Sequence, residues 1–336
     1  MHTGLTRLLD GESLPAAETH DLFGAVIRGE LTEIDITALL IALKLKGETA
    51  EEIAGAALAL RASALEFPRP DYRFADIVGT GGDGSGSINI STAVAFVAAA
   101  AGLPVAKHGN RSVSSQCGSA DLLERFGVRL DMPPDVARRC LDQAGVTFLF
   151  APHYHRGVRH VMPVRKHLAT RTVFNLIGPL VNPACPSIML VGVYDSSLCV
   201  TVARTLAMLG CERALVVNGL GLDEIALHGE THAAELSRGD VVSRRFSPDD
   251  FGVTALPLAA LAGGNPEHNA RVVEALLRGE GEEAHNAAVA VNTAALLHLA
   301  GLADSFAAGY THAREILATG RAWERLQQLA ILSREN

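Results

Sequence analysis

The stretch GTGGDGSGSINIST, residues 79–92, decides how this sequence is expected to fold. It follows the apolar run Ala75 to Val78 and leads into the alanine-rich run Thr92 to Ala101, which predicts a strand, a glycine-rich loop and a helix. Five glycines within eight residues let the backbone approach an anion closely, and the N-terminus of the following helix adds partial positive charge. The loop therefore predicts a phosphate site. It has neither the GK[ST] ending of a P-loop nor the G-x-G-x-x-G dinucleotide pattern.

Polar side chains in this loop favour a sugar phosphate over a plain flexible turn. Asp83, Asn89, Ser91 and Thr92 bring carboxylate, amide and hydroxyl groups to one loop, which suits a ribose hydroxyl and a phosphate together. Ser91 and Thr92 equally suit ordinary capping of the helix, and both roles are compatible.

A second polar loop, KHGNRSVSSQCGSADLL at residues 107–123, follows the short apolar run Pro104 to Ala106. Lys107 and Arg111 supply positive charge, and four serines supply donors: Ser112, Ser114, Ser115 and Ser119. Ligands of open α/β sheets bind beyond the carboxyl ends of strands, so two such loops share one crevice. A solvated basic surface loop is the alternative.

An acidic pair, Asp223-Glu224, lies on a glycine-rich loop just after the apolar run Ala214 to Val217. Magnesium commonly uses one or two carboxylates together with substrate phosphates and water, so the pair predicts a magnesium site, although a solvated turn is also compatible. Four histidines have no H-E-x-x-H motif or cysteine partner that would indicate zinc: His153, His155, His160 and His167.

The chain divides into a small helical domain, residues 1–70, and a larger α/β domain, residues 71–336. Helical spacing puts Ile36, Leu39, Leu40 and Leu43 on one face, and Thr49 is the expected N-cap of a further helix. The proline-containing segment 67–70 ends the helical part. Later apolar runs alternate with helical stretches, which predicts a mainly parallel central sheet, and residues of about 165–185 are expected to cross back to the helical domain.

Composition restricts the class of protein. The 336 residues carry 29 basic and 37 acidic side chains, and a net charge of −8 disfavours binding to nucleic acid. No apolar run is long enough for a membrane span, and residues 1–10 lack the apolar segment of a secretory signal. Five cysteines without C-x-x-C spacing predict neither disulfides nor zinc. We therefore expect a cytoplasmic enzyme.

The strings GTGGDGSGSINIST, KHGNRSVSS and GLDE, in this order and spacing, resemble those of anthranilate phosphoribosyltransferases. The resemblance extends over nearly the whole chain, including RTVFNLIGPLVNP, GGNPEHN and NAAVAVNTAALL. It implies the two-domain fold shared with pyrimidine nucleoside phosphorylases, homodimerisation through the helical domain, and transfer of phosphoribosyl from phosphoribosyl pyrophosphate (PRPP) to the amine of anthranilate. This is the second step of the tryptophan branch from chorismate.

The resemblance also implies site residues. The PRPP set is Gly79, Gly82, Asp83, Ser87, Asn89, Ile90, Ser91, Thr92, Lys107, His108, Gly109, Asn110, Arg111, Ser112, Val113, Ser114, Ser115 and Ser119. The anthranilate set is Gly79, His108, Asn110, Arg165 and Pro179, and two Mg²⁺ ions would be held by Ser91, Asp223 and Glu224. Lys107, Asn110 and Arg165 are the expected catalytic residues. Gln116-Cys117 departs from the family, whose members usually carry a basic residue and serine there.

Two other functions remain open at this point. A nucleoside phosphorylase of the same fold would need a base-recognition motif, which the sequence does not contain. A non-catalytic paralogue that binds a nucleotide or nucleic acid would have less need of both phosphate loops and the acidic pair. Substrates are therefore expected to be small molecules, and no membrane or nucleic-acid partner is expected.

Overall fold

The computed structural model describes residues 3–112 and 116–335. Four helices come first: α1 Thr3–Leu9, α2 Ala16–Arg28, α3 Glu33–Lys46 and α4 Ala50–Ala62. The predicted N-cap is confirmed, because the Thr49 side chain accepts from the Glu52 amide and the Glu52 side chain accepts from the Thr49 amide. The predicted apolar face of α3 is also confirmed, since all four of its residues are buried.

A seven-stranded sheet forms the centre of the rest of the chain. Its strands are β1 Ala75–Gly79, β2 Val105–Gly109, β3 Val146–Phe150, β4 Ile188–Gly192, β5 Arg213–Asn218, β6 Thr231–Ser237 and β7 Asp240–Phe246. Their spatial order is β3-β2-β1-β4-β5-β6-β7, and the first five run parallel. The mainly parallel sheet is therefore confirmed.

Strands β6 and β7 pair antiparallel at the far edge, and sequence reasoning did not identify them. Most β7 side chains are exposed, and the strand carries Arg244 and Arg245. A charged edge strand of this kind has no apolar run to reveal it and resists pairing with another sheet.

The remaining helices surround the sheet: α5 Ile90–Ala100, α6 Ser119–Arg125, α7 Pro134–Ala144, α8 Ala151–Tyr154, α9 Met162–Leu168, α10 Val173–Ile177, α11 Cys199–Met208, α12 Pro266–Leu277, α13 Glu283–Ala300, α14 Phe306–Ala318 and α15 Arg321–Leu332. None of the helices formed by the described residues is long and apolar enough to cross a bilayer.

Each face of the sheet packs into its own core. Alternate side chains of β4 separate: Ile188 and Leu190 join the core that contains α5 and α13, whereas Met189 and Val191 join the core that contains α11 and the N-terminal helices. Helices α9 and α10 pack against α3 and α4 in this second core. The N-terminal helices therefore share the core on one face of the sheet, where they pack on α9, α10 and α11.

Candidate active site

The three predicted loops start at one edge of the sheet, where the parallel strands end. Strand β1 lies between β2 and β4, so the chain turns to opposite sides of it. Such a switch point opens a crevice beyond the carboxyl ends of the strands. The glycine loop follows β1, the basic loop follows β2 and the acidic loop follows β5.

The acidic loop packs directly on the glycine loop. The Gly81 amide donates to Asp223 Oδ2 over 2.7 Å, and the Asp223 amide donates to Asp83 Oδ2 over 3.4 Å. A Cβ at Gly79 or at Gly192 would collide with Asp223. Glycine at these two positions therefore permits a close approach of the two loops.

Three carboxylates lie together at this contact: Asp83, Asp223 and Glu224. Burial raises the pKa of Asp223 to about 7, and the neighbouring Asp83 carboxylate contributes to the rise. Burial and Asp223 together raise the pKa of Glu224 well above its ordinary range. A divalent cation would relieve this repulsion, so the residues fit magnesium.

The protein alone provides an incomplete metal shell. Among residues 3–112 and 116–335, no group of three His, Cys, Asp or Glu side chains is arranged to hold a metal ion. An incomplete shell is typical of magnesium that is bound jointly by carboxylates, substrate phosphates and water.

Lys107 lies underneath the glycine loop. Its side chain is buried, and Nζ donates to the Ile77 carbonyl over 2.6 Å and to Ser91 Oγ over 3.3 Å. Burial lowers the pKa of Lys107, while the carboxylates of Asp76, Glu224 and Asp223 oppose that effect. The ammonium group therefore acts on the site through its charge, and its bonds position Ser91.

Asp76 is a further buried carboxylate, and its charge interacts with that of Lys107. It is fully buried on β1, where burial raises its pKa to about 6 against the opposing effect of Lys107. Asn182 Nδ2 donates to Asp76 Oδ2 and to the Ala106 carbonyl, each over 2.8 Å. Sequence reasoning did not single out either residue, because their partners lie far away along the chain.

Helix α5 begins at Ile90, directly after the glycine loop. Its N-cap is Asn89, which makes no side-chain cap bond, so Ser91 and Thr92 do not cap the helix. The backbone of Ser91 instead lies close enough to Glu224 to oppose the rise of its pKa. Ser91 thus links Glu224 and Lys107 at the start of α5, while Thr92 is buried in the first turn.

The far half of the glycine loop is held by the segment before α12. Ser87 pairs with Ala262, and the Gly263 amide donates to the Gly86 carbonyl over 2.7 Å. Within the loop, Ser85 Oγ donates to Ser87 Oγ over 3.2 Å. The start of the GGNPEHN segment therefore holds the glycine loop in place next to a short antiparallel β-bridge.

In the basic loop, the Arg111 side chain is paired within the protein. Its guanidinium bonds to Asp121 over 2.9 Å and to Glu124 over 2.9 and 3.0 Å. The same Asp121 accepts from the amides of Ser112 and Gly118, so it organises the turn. Val113, Ser114 and Ser115 lie outside the described residues.

The remainder of the basic loop closes on itself. Ser119 Oγ donates to the Asn110 carbonyl over 3.2 Å, and a Cβ at Gly109 would collide with Ser119. In the divergent pair Gln116-Cys117, Cys117 is buried and its carbonyl accepts from Asn89 Nδ2 over 3.0 Å. The substitution therefore keeps a backbone contact between the two phosphate loops.

Three of the expected anthranilate residues lie on the side of the N-terminal helices: His108, Arg165 and Pro179. His108 is buried, its Nε2 has no partner among the described residues, and its ring meets His155 edge-on at 5.3 Å. Burial lowers the pKa of His108, so its imidazole is neutral. The backbone of Gly178, next to the buried Pro179, lies against that ring.

Arg165 projects from α9 as a partly desolvated cation. Its guanidinium carbon lies 5.4 Å from the centroid of the Phe174 ring, and burial lowers the pKa of the group. In the described part of the chain, the guanidinium has no hydrogen-bonding partner. Such a group is suited to bind a carboxylate through two parallel bonds.

Comparison with known proteins covers both parts of the chain. Residues 4–64 match the helical bundle domain of a glycosyl transferase family, and residues 71–323 match its a/b domain. Anthranilate phosphoribosyltransferase of Serratia proteamaculans is 55% identical over 330 residues, which cover 98% of this chain and 99% of the relative. The Sorangium cellulosum protein of the same name is 56% identical over 335 residues, 100% of this chain and 96% of the relative.

Solved structures agree. Anthranilate phosphoribosyltransferase of Thermus thermophilus superposes with a TM-score of 0.95 at 41% identity, with full coverage of both chains. The Saccharomyces cerevisiae enzyme in complex with PRPP and Mg superposes with a TM-score of 0.89 at 28% identity, covering 98% of this chain and 96% of that one. With its two matched domains and near-complete similarity in sequence and structure, the chain belongs to the anthranilate phosphoribosyltransferase family.

Proposed function

We propose that this chain transfers the phosphoribosyl group of PRPP to the amine of anthranilate and releases pyrophosphate, at the carboxyl edge of its sheet. The observation that carries the proposal is the junction of the glycine loop with Asp223, where backbone amides and clustered carboxylates meet. A yeast relative was solved with PRPP and Mg, and the same relative with 4-fluoroanthranilate. The product is N-(5-phosphoribosyl)anthranilate, and the reaction is the second step of the tryptophan branch.

PRPP is assigned to the glycine and basic loops. The assigned residues are those that the motifs predict: Gly79, Gly82, Asp83, Ser87, Asn89 to Thr92, Lys107 to Ser115 and Ser119. Amides at the start of α5 favour a phosphate there. Because Lys107 is bonded beneath the loop, it acts on bound PRPP through its charge, and it also balances the charge of the acidic pair and positions Ser91.

Magnesium is assigned to Ser91, Asp223 and Glu224, with two ions bound. When bound, the metal neutralises the charge that develops on departing pyrophosphate. The protein contributes by holding both carboxylates in a buried site beside the glycine loop. Gly79 and Gly192 make this approach possible.

Anthranilate is assigned to the side of the cleft next to α9. Arg165 binds its carboxylate, while Gly79, His108, Asn110 and Pro179 surround the ring and amine. The amine of anthranilate is neutral and carries a usable lone pair, so the reaction needs little help from an acid or base. Catalysis then depends on positioning two substrates, which is worth about 7 to 11 kcal/mol in well-oriented reactions.

The helical part is proposed to mediate a homodimer. We assign residues 1–70 with the crossing segment 165–185 to a helical domain, and the α/β catalytic domain to residues 71–336. Ile34 and Leu45 stand on α3 about three turns apart, and they are 81% and 80% exposed in the single chain. Large apolar side chains this exposed on one helix face are typical of a protein interface.

A reducing cytoplasm is the proposed compartment. All five cysteines are free thiols, and four of them are buried. Burial raises the pKa of Cys140, Cys199 and Cys211 to about 12, which keeps these thiols unreactive.

Substrate tests separate the proposed transferase from the alternatives. Purified protein is supplied with PRPP, Mg²⁺ and anthranilate, and pyrophosphate release is measured beside phosphorolysis of a pyrimidine nucleoside. Release that requires anthranilate supports the proposal. Phosphorolysis alone would assign a nucleoside phosphorylase, and salt-sensitive DNA binding without turnover would assign a binding paralogue.

A further inference from the structure

Arg171 is the first residue of the RTVFNLIGPLVNP string and is not one of the expected site residues. It reaches from the segment before α10 onto the glycine loop. Its Nη2 donates to the carbonyl of Gly82, and its guanidinium carbon lies 4.0 Å from the centroid of the Tyr194 ring. The side chain is therefore fixed at its charged end by a hydrogen bond and by a stacked ring, although Arg171 itself is exposed.

The ring beneath Arg171 is tied to the same loop. The Tyr194 amide donates to Thr80 Oγ1 over 3.1 Å, and the Thr80 amide donates to the Gly192 carbonyl over 3.0 Å. Tyr194 thus follows β4 and is bonded to the start of the glycine loop. Arg171 therefore contacts the glycine loop at Gly82, and Tyr194 contacts it at Thr80.

The backbone on both sides of Arg171 is anchored to the N-terminal helices. Lys44 on α3 donates to Thr170 Oγ1, and Thr172 is the N-cap of α10, where its amide donates to Asn175 Oδ1 over 3.0 Å. Helix α10 packs on α3 and α4. A continuous set of contacts therefore joins the helical part of the molecule to the glycine loop through one arginine.

The glycine loop needs such an external support. Gly81 and Gly82 adopt left-handed conformations, with φ of 65° and 72°, and residues 80–86, all of them described, form no helix or strand. Arginine is suited to the task, because its planar group can stack on a ring while its several N–H groups donate in fixed directions.

We propose that Arg171 is a positioning residue for PRPP: stacked on Tyr194, it holds the turn at Gly82 in the conformation that receives the phosphoribosyl group and links this turn to the helical domain. The inference rests on the proposed function for the identity of the ligand. It adds a residue outside both phosphate loops and outside the acidic pair to PRPP recognition.

The test measures PRPP binding by calorimetry in the presence of Mg²⁺, and then steady-state kinetics. For Arg171→Ala we expect the PRPP dissociation constant and KM to rise about tenfold, since one hydrogen bond to a charged donor and one stacked cation are lost. We expect kcat and the KM for anthranilate to change by less than about twofold, because neither contact involves the reacting atoms. Millimolar guanidinium should partly restore PRPP affinity.

Matched variants separate the contact from general structure. Tyr194→Phe keeps the ring and should bind PRPP like the wild type, whereas Tyr194→Leu should weaken binding, and the double variant with Arg171→Ala should be less than additive. Arg159→Ala removes another exposed arginine from the same part of the chain and should change nothing.

The outcomes keep the two proposals apart. Unchanged PRPP affinity in Arg171→Ala, or an equal loss of all parameters together with the thermal midpoint, overturns the positioning role. Wild-type protein that binds PRPP without consuming anthranilate overturns the proposed function only, and the Arg171 series still decides the inference by binding. Wild-type protein that does not bind PRPP overturns both.

Discussion

Asn269 Nδ2 donates a 2.9 Å hydrogen bond to Asn89 Oδ1, joining two residues that are 180 positions apart. Asn269 is buried in the first turns of α12, and its Oδ1 accepts from the Gly264 amide over 2.7 Å. Asn89 in turn donates to the Cys117 carbonyl. Two amide side chains thus connect the end of the glycine loop to the basic loop and to α12.

Replacing Asn269 with alanine should therefore loosen the glycine loop. The change leaves the Gly264 amide and Asn89 Oδ1 without their partner, which should lower the free energy of unfolding by about 1–3 kcal/mol. The KM for PRPP should rise more than the KM for anthranilate. Urea denaturation and steady-state kinetics measure both effects, with Gln143→Ala as an exposed amide control. An Asn269→Ala protein with wild-type stability and PRPP affinity would contradict this role.

Removing Arg165 should impair anthranilate binding selectively. Arg165→Ala deletes a half-buried cation that has no protein acceptor among the described residues, so a charge-assisted contact to the substrate carboxylate is lost. We expect the KM for anthranilate to rise about 10- to 100-fold, with the KM for PRPP nearly unchanged. Lys166→Ala, an exposed neighbour on α9, is the control. An unaltered anthranilate KM would rule out the carboxylate role.

The buried His155 should make the protein sensitive to acid. Burial lowers the pKa of His155 to about 4 from an ordinary value of 6.5, so the unfolded chain binds a proton that the folded chain excludes. This contribution is present in full above pH 6.5 and is lost as the pH falls towards 4, with a magnitude on the order of 3 kcal/mol.

Denaturation of His155→Phe across this pH range tests the effect. The stability difference between variant and wild type should shift in favour of the variant as the pH falls, because phenylalanine takes up no proton. His312→Phe is the matched control, because it makes the same change at a histidine that is not buried. Parallel profiles for wild type and His155→Phe would show that protonation of His155 does not contribute to acid unfolding.

A charge on the exposed face of α3 should dissociate the proposed dimer. Ile34→Asp or Leu45→Glu puts a carboxylate into an apolar contact, and an unpaired buried charge is strongly unfavourable. Light scattering after gel filtration should give the mass of one chain for these variants and of two chains for the wild type. Ile331→Asp, on the exposed side of α15, should remain dimeric. A monomeric wild type at micromolar concentration would contradict the dimer.

The sequence predicted those elements that depend on residues close together along the chain. The glycine loop, the strand runs before it and after it, the Thr49 cap and the buried face of α3 all depend on nearest neighbours along the chain, and the structure contains them. Strands β6 and β7 were missed because neither has a continuous apolar run: β6 mixes polar and apolar residues, and most side chains of β7 are exposed.

Side-chain direction was the main quantity that the motifs could not predict. The spacing predicted charges at Lys107 and Arg111, but the fold turns the first under the glycine loop and pairs the second with Asp121 and Glu124. Asn182, Asn269 and Arg171 were not singled out either, because each acts through partners about 70 to 180 positions away. Long-range contacts of this kind exist only once the chain has folded.

The central claim is tested most directly by the fluorescence of anthranilate during incubation with the protein and PRPP. We expect the signal to fall in the presence of Mg²⁺ and to stay constant with EDTA. For Glu224→Gln the signal should fall at least about 100-fold more slowly, because the variant lacks the negative charge that binds Mg²⁺. Asp304→Asn, an exposed carboxylate elsewhere, should behave like the wild type. A constant signal with folded wild-type protein, PRPP and Mg²⁺ would contradict the assignment of this chain as an anthranilate phosphoribosyltransferase.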